Sequence, residues 1–349
     1  VKTLGDLRVR AEVVRALGPR VAWRFRSLNA EAERLRGARE PIYRRLWDEA
    51  ASEVGATVRD LGSGFLELRL EGRATRVRQE LVDIDSQAAI TLSFDKTLVH
   101  RLLTAEGLPV PEHVEAGDAD ALLREGAVVV KPADGTGIGA GVTGSVRTAG
   151  QLAVARAAAR RYGPRVLVER AVPGEVYRFL LLDGQLLDVV RRGRPAVTGD
   201  GRSTIVELVA QENRRRLEAA GEDGLSLVRP DLDFVYTLQA AGRSPRSVPA
   251  DGERVAVKTV TNQNRAGENA TVRDTSPELA AEAAAAARVV GLRLAGVDVI
   301  APTLDRSLAE SGGVVLEVNC TPGLHHHYLV ADREGATRVA VPILRALVG

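Results

Sequence analysis

Two apolar strands near the end of the chain carry acids at their centres. Gly296-Val297-Asp298-Val299-Ile300 places Asp298 mid-strand, and Gly313-Val314-Val315-Leu316-Glu317-Val318-Asn319 ends in two polar residues set two apart. Side chains alternate across a strand, so Glu317 and Asn319 share a face while Val318 points away. Val297, Val299, Leu316 and Val318 are expected to bury the opposite face. Such a chain needs a sheet with one buried face and one face that tolerates charge. If the two strands pair, three oxygen-bearing side chains converge, and half-buried carboxylates need a cation. Asp, Glu and Asn oxygens suit magnesium, which takes few protein ligands and fills its shell with phosphate oxygens. A solvated polar sheet face is the competing reading.

The rest of the chain alternates helical and strand patterns. Residues 1–40 and 42–54 have helical spacing, with Gly55 as a stop. Phe65–Leu70 alternates like a half-buried strand, and Ala74–Val77 could pair back across Glu71-Gly72. The spacing predicts helices over 95–105 and 149–162, the second capped by Thr148. Strands follow at Ala127–Pro132 and Val166–Glu169, then a hairpin around Asp183-Gly184. Ser276-Pro277-Glu278 opens an Ala-rich helix that Gly291 stops. Residues 200–250 read as a helix and long loops.

Composition removes several classes of function. The 349 residues hold 48 basic and 46 acidic side chains, a net charge of +2, so no dominant basic stripe points to nucleic acid. No apolar run reaches the roughly 18 residues of a membrane span. Val1-Lys2-Thr3-Leu4 starts no signal-peptide core. Cys320 is the single cysteine, which excludes an intrachain disulfide and any multi-cysteine metal site. The expectation is a cytoplasmic protein.

Lys131 ends the apolar strand just before a loop with Gly135, Gly137, Gly139, Gly141 and Gly144. An ammonium there can meet a phosphate, and exposed backbone N–H groups can cradle its oxygens. Gly139-Ala140-Gly141-Val142-Thr143-Gly144 also fits a dinucleotide fingerprint, but the strand and helix stand at the wrong distances for it. From the glycines alone, a surface loop remains the alternative.

Three stretches bring these features together. They are Asp95-Lys96-Thr97-Leu98-Val99-His100-Arg101-Leu102-Leu103, then Thr198 to Leu208, then Gly296–Ile300 with Gly313–Gly323. In this order and spacing, residues 93–329 resemble the ATP-grasp domain of cyanophycin synthetases, and more loosely glutathione synthetase and D-alanine–D-alanine ligase. The resemblance implies an α/β chain with ATP-grasp lobes and a small N-terminal α+β domain. The expected boundaries are 1–92, 93–165 and 166–349. It implies ATP and magnesium, two ions, held by Asp298, Glu317 and Asn319. Lys96 and Lys131 would hold the ATP phosphates under a flap that includes Gly137 and Gly139. Glu169 to Val172 would form the adenine hinge, with Glu175 on the ribose. Arg178 and Arg192 match arginines that face the reacting carboxylate and the transferred phosphate; for Arg178 a surface salt bridge is the plain alternative. Removing the charge of Asp298 or Glu317 should remove most turnover and spare the fold.

The chain also departs from that pattern. Asn264-Arg265-Ala266-Gly267 stands where cyanophycin synthetases carry Ser-Thr-Gly-Gly, and His325-His326-His327 replaces an Arg-x-His pattern. Arg265, His325 and His327 would therefore face a different substrate. Three consecutive histidines rarely ligate one ion, so substrate contact is the reading preferred to a transition metal. Cyanophycin synthetases continue into a second ATP-dependent half; with the sequence ending at Gly349, that second activity is expected to be missing. The implied activity is ATP-dependent ligation of an amino-acid or peptide carboxylate to an amine through an acyl phosphate, with ADP and phosphate released. A small-molecule kinase on the same fold and a non-catalytic ATP-binding module are the alternatives. Small-molecule partners are expected, and homo-oligomerisation stays open.

Overall fold

The computed structural model describes residues 4–19, 21, 25, 39–115, 117–134, 139–219 and 226–349. Strands β1 (Thr57–Gly62), β2 (Phe65–Leu70) and β3 (Arg73–Val77) form an antiparallel meander. Its first turn has Ser63 at φ 54°, and the second has Glu71 at 48° and Gly72 at 84°. The helix Arg39–Val54 packs Tyr43, Leu46 and Trp47 against the inner face of this meander, beside Leu66, Leu68 and Val77.

A second sheet runs β4 (His113–Val114), β7 (Val166–Arg170), β5 (Val128–Pro132), β6 (Thr143–Val146) in spatial order. Val128 and Val130 of β5 and Val166 and Val168 of β7 face a core that includes Leu152 and Ala155. The odd positions of β5, Val129 and Lys131, fall on the other face. An apolar run that reads as wholly buried thus hides an alternation, and Lys131 is its polar end.

The third sheet carries β8 (Glu175–Leu182), β9 (Gln185–Arg192), β12 (Asn269–Val272), β13 (Leu294–Ala301) and β14 (Val314–Asn319), in the order β12-β9-β8-β13-β14. A small antiparallel pair, β10 (Ala196–Thr198) and β11 (Arg254–Ala256), sends Val197 and Val255 into the core of the second sheet. β8 and β9 turn at Asp183 and Gly184, with φ of 50° and 76°, the left-handed pair that a two-residue hairpin turn requires. The odd residues Tyr177, Phe179, Val297 and Val299 pack on the helix Pro277–Val290. Even residues divide by position: Leu180, Leu182 and Leu294 are covered by the helices Arg39–Val54 and Ala340–Val348. Arg178 and Asp298, further along the same face, look into a cavity.

The expected boundaries shift in two places. Val166–Arg170 pairs with β5 and belongs with the second sheet, not with the residues that follow it. The helix Leu4–Leu17 packs Val9 and Leu17 into the core of that lobe, not with the meander. Among the described residues of 200–250 there are two helices, Ile205–Glu218 and Leu232–Ala240, which join the same core. No described helix is long and apolar enough to cross a membrane.

Candidate active site

A cavity of about 570 Å³ lies between the charged faces of the second and third sheets. Lys96, Lys131, Glu169, Arg178, Arg192 and Asp298 all line it. Among the described residues, eight lysines and arginines line it against four carboxylates. Each of the six is 7% exposed or less, so these charges interact with little solvent between them.

The expected convergence on β13 and β14 occurs, with an irregularity that sequence did not announce. Asp298 pairs directly with Glu317, and Gly296 with Asn319, but the register slips between Asp298 and Val299. The extra residue is Leu316. It lines the cavity next to Glu317, and Val315 takes the core position expected of it. Asn319 Nδ2 lies 3.3 Å from Asp298 Oδ2 and donates to the Gly296 carbonyl at 3.1 Å, which leaves its amide oxygen for another partner.

Arg178 sits directly opposite Asp298 on β8. Its Nε and Nη2 donate to the two Asp298 oxygens at 2.5 and 2.7 Å. Gly296 makes room for this: a Cβ there would stand 2.9 Å from Arg178 Nη1. The surface salt bridge considered for Arg178 is therefore a buried one, inside the site. Among the described residues no three His, Cys, Asp or Glu side chains form a metal-holding group by themselves; here the third ligand would be an amide. A carboxylate offers about four lone-pair sites, so Asp298 can keep Arg178 and still reach a cation. The donor set, two carboxylates and an amide, fits magnesium.

Arg192 ends β9 and is 2% exposed. Its Nε and Nη2 have no hydrogen-bond partner. Burial, then the neighbouring Arg178 charge, pushes its pKa down to about 10. A buried guanidinium with unmet donors beside a second guanidinium is costly unless an anion joins them.

On the other wall, Lys131 Nζ lies 2.7 Å from Glu169 Oε1, and Lys96 Nζ lies 3.3 Å from Glu317 Oε1. Lys96 opens its helix directly after the cap Asp95, whose carboxylate accepts from Leu98 N. His100, one turn along, is held neutral: burial first, then the Lys131 charge, lowers its pKa to about 3.

The flap strand is stapled in place. Asp233 is fully buried and accepts from the backbone N–H groups of Gly144, Thr259 and Val260. Gly139 lines the cavity at φ 67°, and a Cβ on it would lie 2.4 Å from Val260 Cγ1. Gly135 and Gly137 lie outside the described residues.

The remaining candidates divide. Val172, Arg265 and His325 line the cavity. Glu175 does not: it is exposed at the end of β8, its carboxylate 3.5 Å from Arg191. His327 also turns away, its Nδ1 2.6 Å from Asp188 Oδ2, and Thr337 holds the other oxygen of that carboxylate. His326 takes the cavity position instead, with its ring 4.0 Å from that of His325. The short 3-10 turn Leu324–His327 sets which ring faces which way, and residue spacing alone does not fix that. The stretch Thr198–Leu208, so prominent in the sequence, is architectural: Asp200 caps its own turn by accepting from Ser203 N, and Thr204 with Glu207 caps the next helix.

Sequence reading missed Arg39, Glu80, Arg194 and the run Thr259, Val260, Thr261 and Asn262, all on the cavity wall. The polar run Thr259-Val260-Thr261-Asn262-Gln263-Asn264 was the available signal for the last. Nothing local marks Arg39 or Glu80.

No protein-family model matches the chain. It is 31% identical over 274 residues to the cyanophycin synthetase of Trichormus variabilis, covering 75% of this chain and 30% of that one. It is 29% identical over 299 residues to the glutathione biosynthesis bifunctional protein GshAB of Streptococcus mutans, covering 81% of this chain and 39% of that one. The chain thus spans between 30% and 39% of the length of these curated relatives. A bifunctional glutathione synthetase structure from Pasteurella multocida superposes with a TM-score of 0.53 at 23% identity, over 84% of this chain and 41% of that one. The mixed α/β architecture with ATP-grasp-like lobes is shared with this neighbour, as the resemblance implied.

Proposed function

We propose that the chain is an ATP-dependent carboxylate–amine ligase that forms an amide bond through an acyl phosphate. The observation that carries this is Arg192, buried beside Arg178 with two guanidinium nitrogens unmet, in a cavity where cations outnumber carboxylates. Such a site is short of anionic charge, and a triphosphate with a substrate carboxylate supplies it. The similarity to cyanophycin synthetases and GshAB proteins supports the same reading.

In this reading Lys96 and Lys131 hold the phosphates of ATP. Asp298, Glu317 and Asn319 would hold magnesium, which supplies charge neutralisation at the phosphate oxygens. Val172 and its neighbours border the adenine. Arg178 and Arg192 orient the substrate carboxylate on the γ-phosphorus and stabilise charge on the transferring group. One carboxylate oxygen bonds to that phosphorus and ADP leaves. A neutral amine then attacks the acyl carbon, and phosphate departs with the oxygen it received and takes up the proton the amine loses. The flap, tied to Thr259 and Val260 through Asp233, keeps water from the acyl phosphate.

The test is an oxygen-18 label in the substrate carboxylate. A phosphate-release screen of amino-acid pairs finds the substrates, and mass spectrometry then weighs the products. One labelled oxygen is expected in inorganic phosphate. Label in AMP, or pyrophosphate among the products, overturns the mechanism. ADP formation with a stable phosphorylated product and no response to any amine identifies a kinase instead.

A further inference from the structure

We propose that Arg39 and Glu80, both from the N-terminal unit, form a subsite for the two charged ends of a free α-amino acid. This rests on the ligase reading above and deepens it, because it separates a free amino acid from a peptide as the ligand of that corner.

Arg39 Nη1 and Glu80 Oε1 stand 3.6 Å apart on the cavity wall. That is an ion pair by charge but too long for a hydrogen bond. Both side chains are about four-fifths covered, at 19% and 21% exposure. Arg39 Nε and Glu80 Oε2 are buried without a partner. A pair whose only role was to hold the fold would gain by closing this gap, since unmet buried donors and acceptors are costly. Left apart, the two groups offer one cation and one anion side by side. That is the complement of an ammonium and a carboxylate on a single carbon.

The scaffold beneath them is rigid. Arg39 starts the helix Arg39–Val54, and Tyr43 lies one turn along on the same side. The Tyr43 hydroxyl is 2.9 Å from His325 Nδ1, and His325 also lines the cavity. Burial and the Glu80 charge push the Tyr43 hydroxyl well above its usual range, so it stays a neutral contact. Glu80 sits at the tip of a turn closed by Arg78 and Leu81, at 3.0 and 2.9 Å. Fully buried Trp47 donates to the Gln79 carbonyl at 3.0 Å and pins that turn. After burial, the charges of Arg39 and then Arg192 act most strongly on His325. The corner therefore adjoins the Arg192 end of the cavity, where the acyl group would be transferred.

The experiment is thermal shift and calorimetry on the whole chain with magnesium and a non-hydrolysable ATP analogue. Each of the standard L-amino acids is added free, as its N-acetyl form and as its α-carboxamide. At least one free amino acid should stabilise the protein, and both of its blocked forms should bind about 10- to 100-fold more weakly, as expected for loss of one charge-assisted contact. Arg39→Gln should erase the discrimination against the carboxamide, and Glu80→Gln that against the N-acetyl form. An N-acetyl form binding like the free acid would identify a peptide C-terminus as the ligand and overturn the inference. A carboxamide doing so would overturn it in favour of a peptide N-terminus. The blocked-ligand comparison on the unaltered protein decides the matter even if a variant folds poorly. If the nucleotide binds but no free amino acid does, this inference fails alone; if the nucleotide does not bind, the ligase reading fails.

Discussion

Asp298→Asn tests whether the site holds the fold as well as the chemistry. Asp298 and Arg178 are 7% and 6% exposed and joined by two short hydrogen bonds. Neutralising the acid leaves the Arg178 guanidinium buried beside that of Arg192, with the weaker influence of Glu317 as the remaining negative charge on it. Breaking a buried pair from one side costs about 3–5 kcal/mol. The Asn side chain keeps one acceptor oxygen, so the lower end applies. At roughly 2 °C per kcal/mol for a chain of this size, the melting temperature should fall by about 6 °C. Glu317 is 29% exposed with Lys96 3.3 Å away, so Glu317→Gln should cost under about 1 kcal/mol. Both variants should lose magnesium-dependent ADP formation. The expectation from sequence is that neither change touches the fold; the buried pair predicts a different outcome for Asp298. Melting curves and ADP release would be followed for both variants and for Arg178→Met with Asp298→Asn. The double variant should recover most of the stability and none of the turnover. An Asp298→Asn protein as stable as the parent would refute the claim that the pair supports the sheet.

Lys131→Ala should weaken nucleotide binding by about 10- to 100-fold and raise the His100 pKa from about 3, since the Lys131 charge is the largest cause after burial; NMR titration of His100 reads the second effect, and an unmoved His100 would place the two apart. His100 is neutral in the fold and ordinarily titrates near 6.5. Its contribution to stability is therefore complete above that value and is lost as pH falls toward about 3. His100→Gln should flatten this part of the acid limb of the stability curve, and an unchanged limb would assign acid unfolding to other groups.

How much of this was legible beforehand differs from residue to residue. Caps, turns and strand pairs were readable because their causes are local. Thr148, Ser276 and Gly291 act within one helical turn of where they stand in the chain. Asp298, Glu317 and Asn319 were readable because two strand patterns confine them to one face. The same reasoning failed at Leu316, where one slipped register puts Leu316 on the cavity face and Val315 in the core, and no single strand encodes its partner's register. His327 failed for the reason that a 3-10 turn rotates consecutive side chains to different sides. Arg39 and Glu80 stand 41 residues apart, and they meet at the site only because the buried cluster of Tyr43, Trp47, Leu180 and Leu294 docks the N-terminal unit on the third sheet. The Arg178–Asp298 pair joins positions separated by 120 residues. Sequence alone determined which groups had the chemistry for phosphates and metal, since that is a property of each side chain and its nearest neighbours. Tertiary structure decided which of them face one another, because long-range packing sets distance and burial, and these fix the strength of a charge.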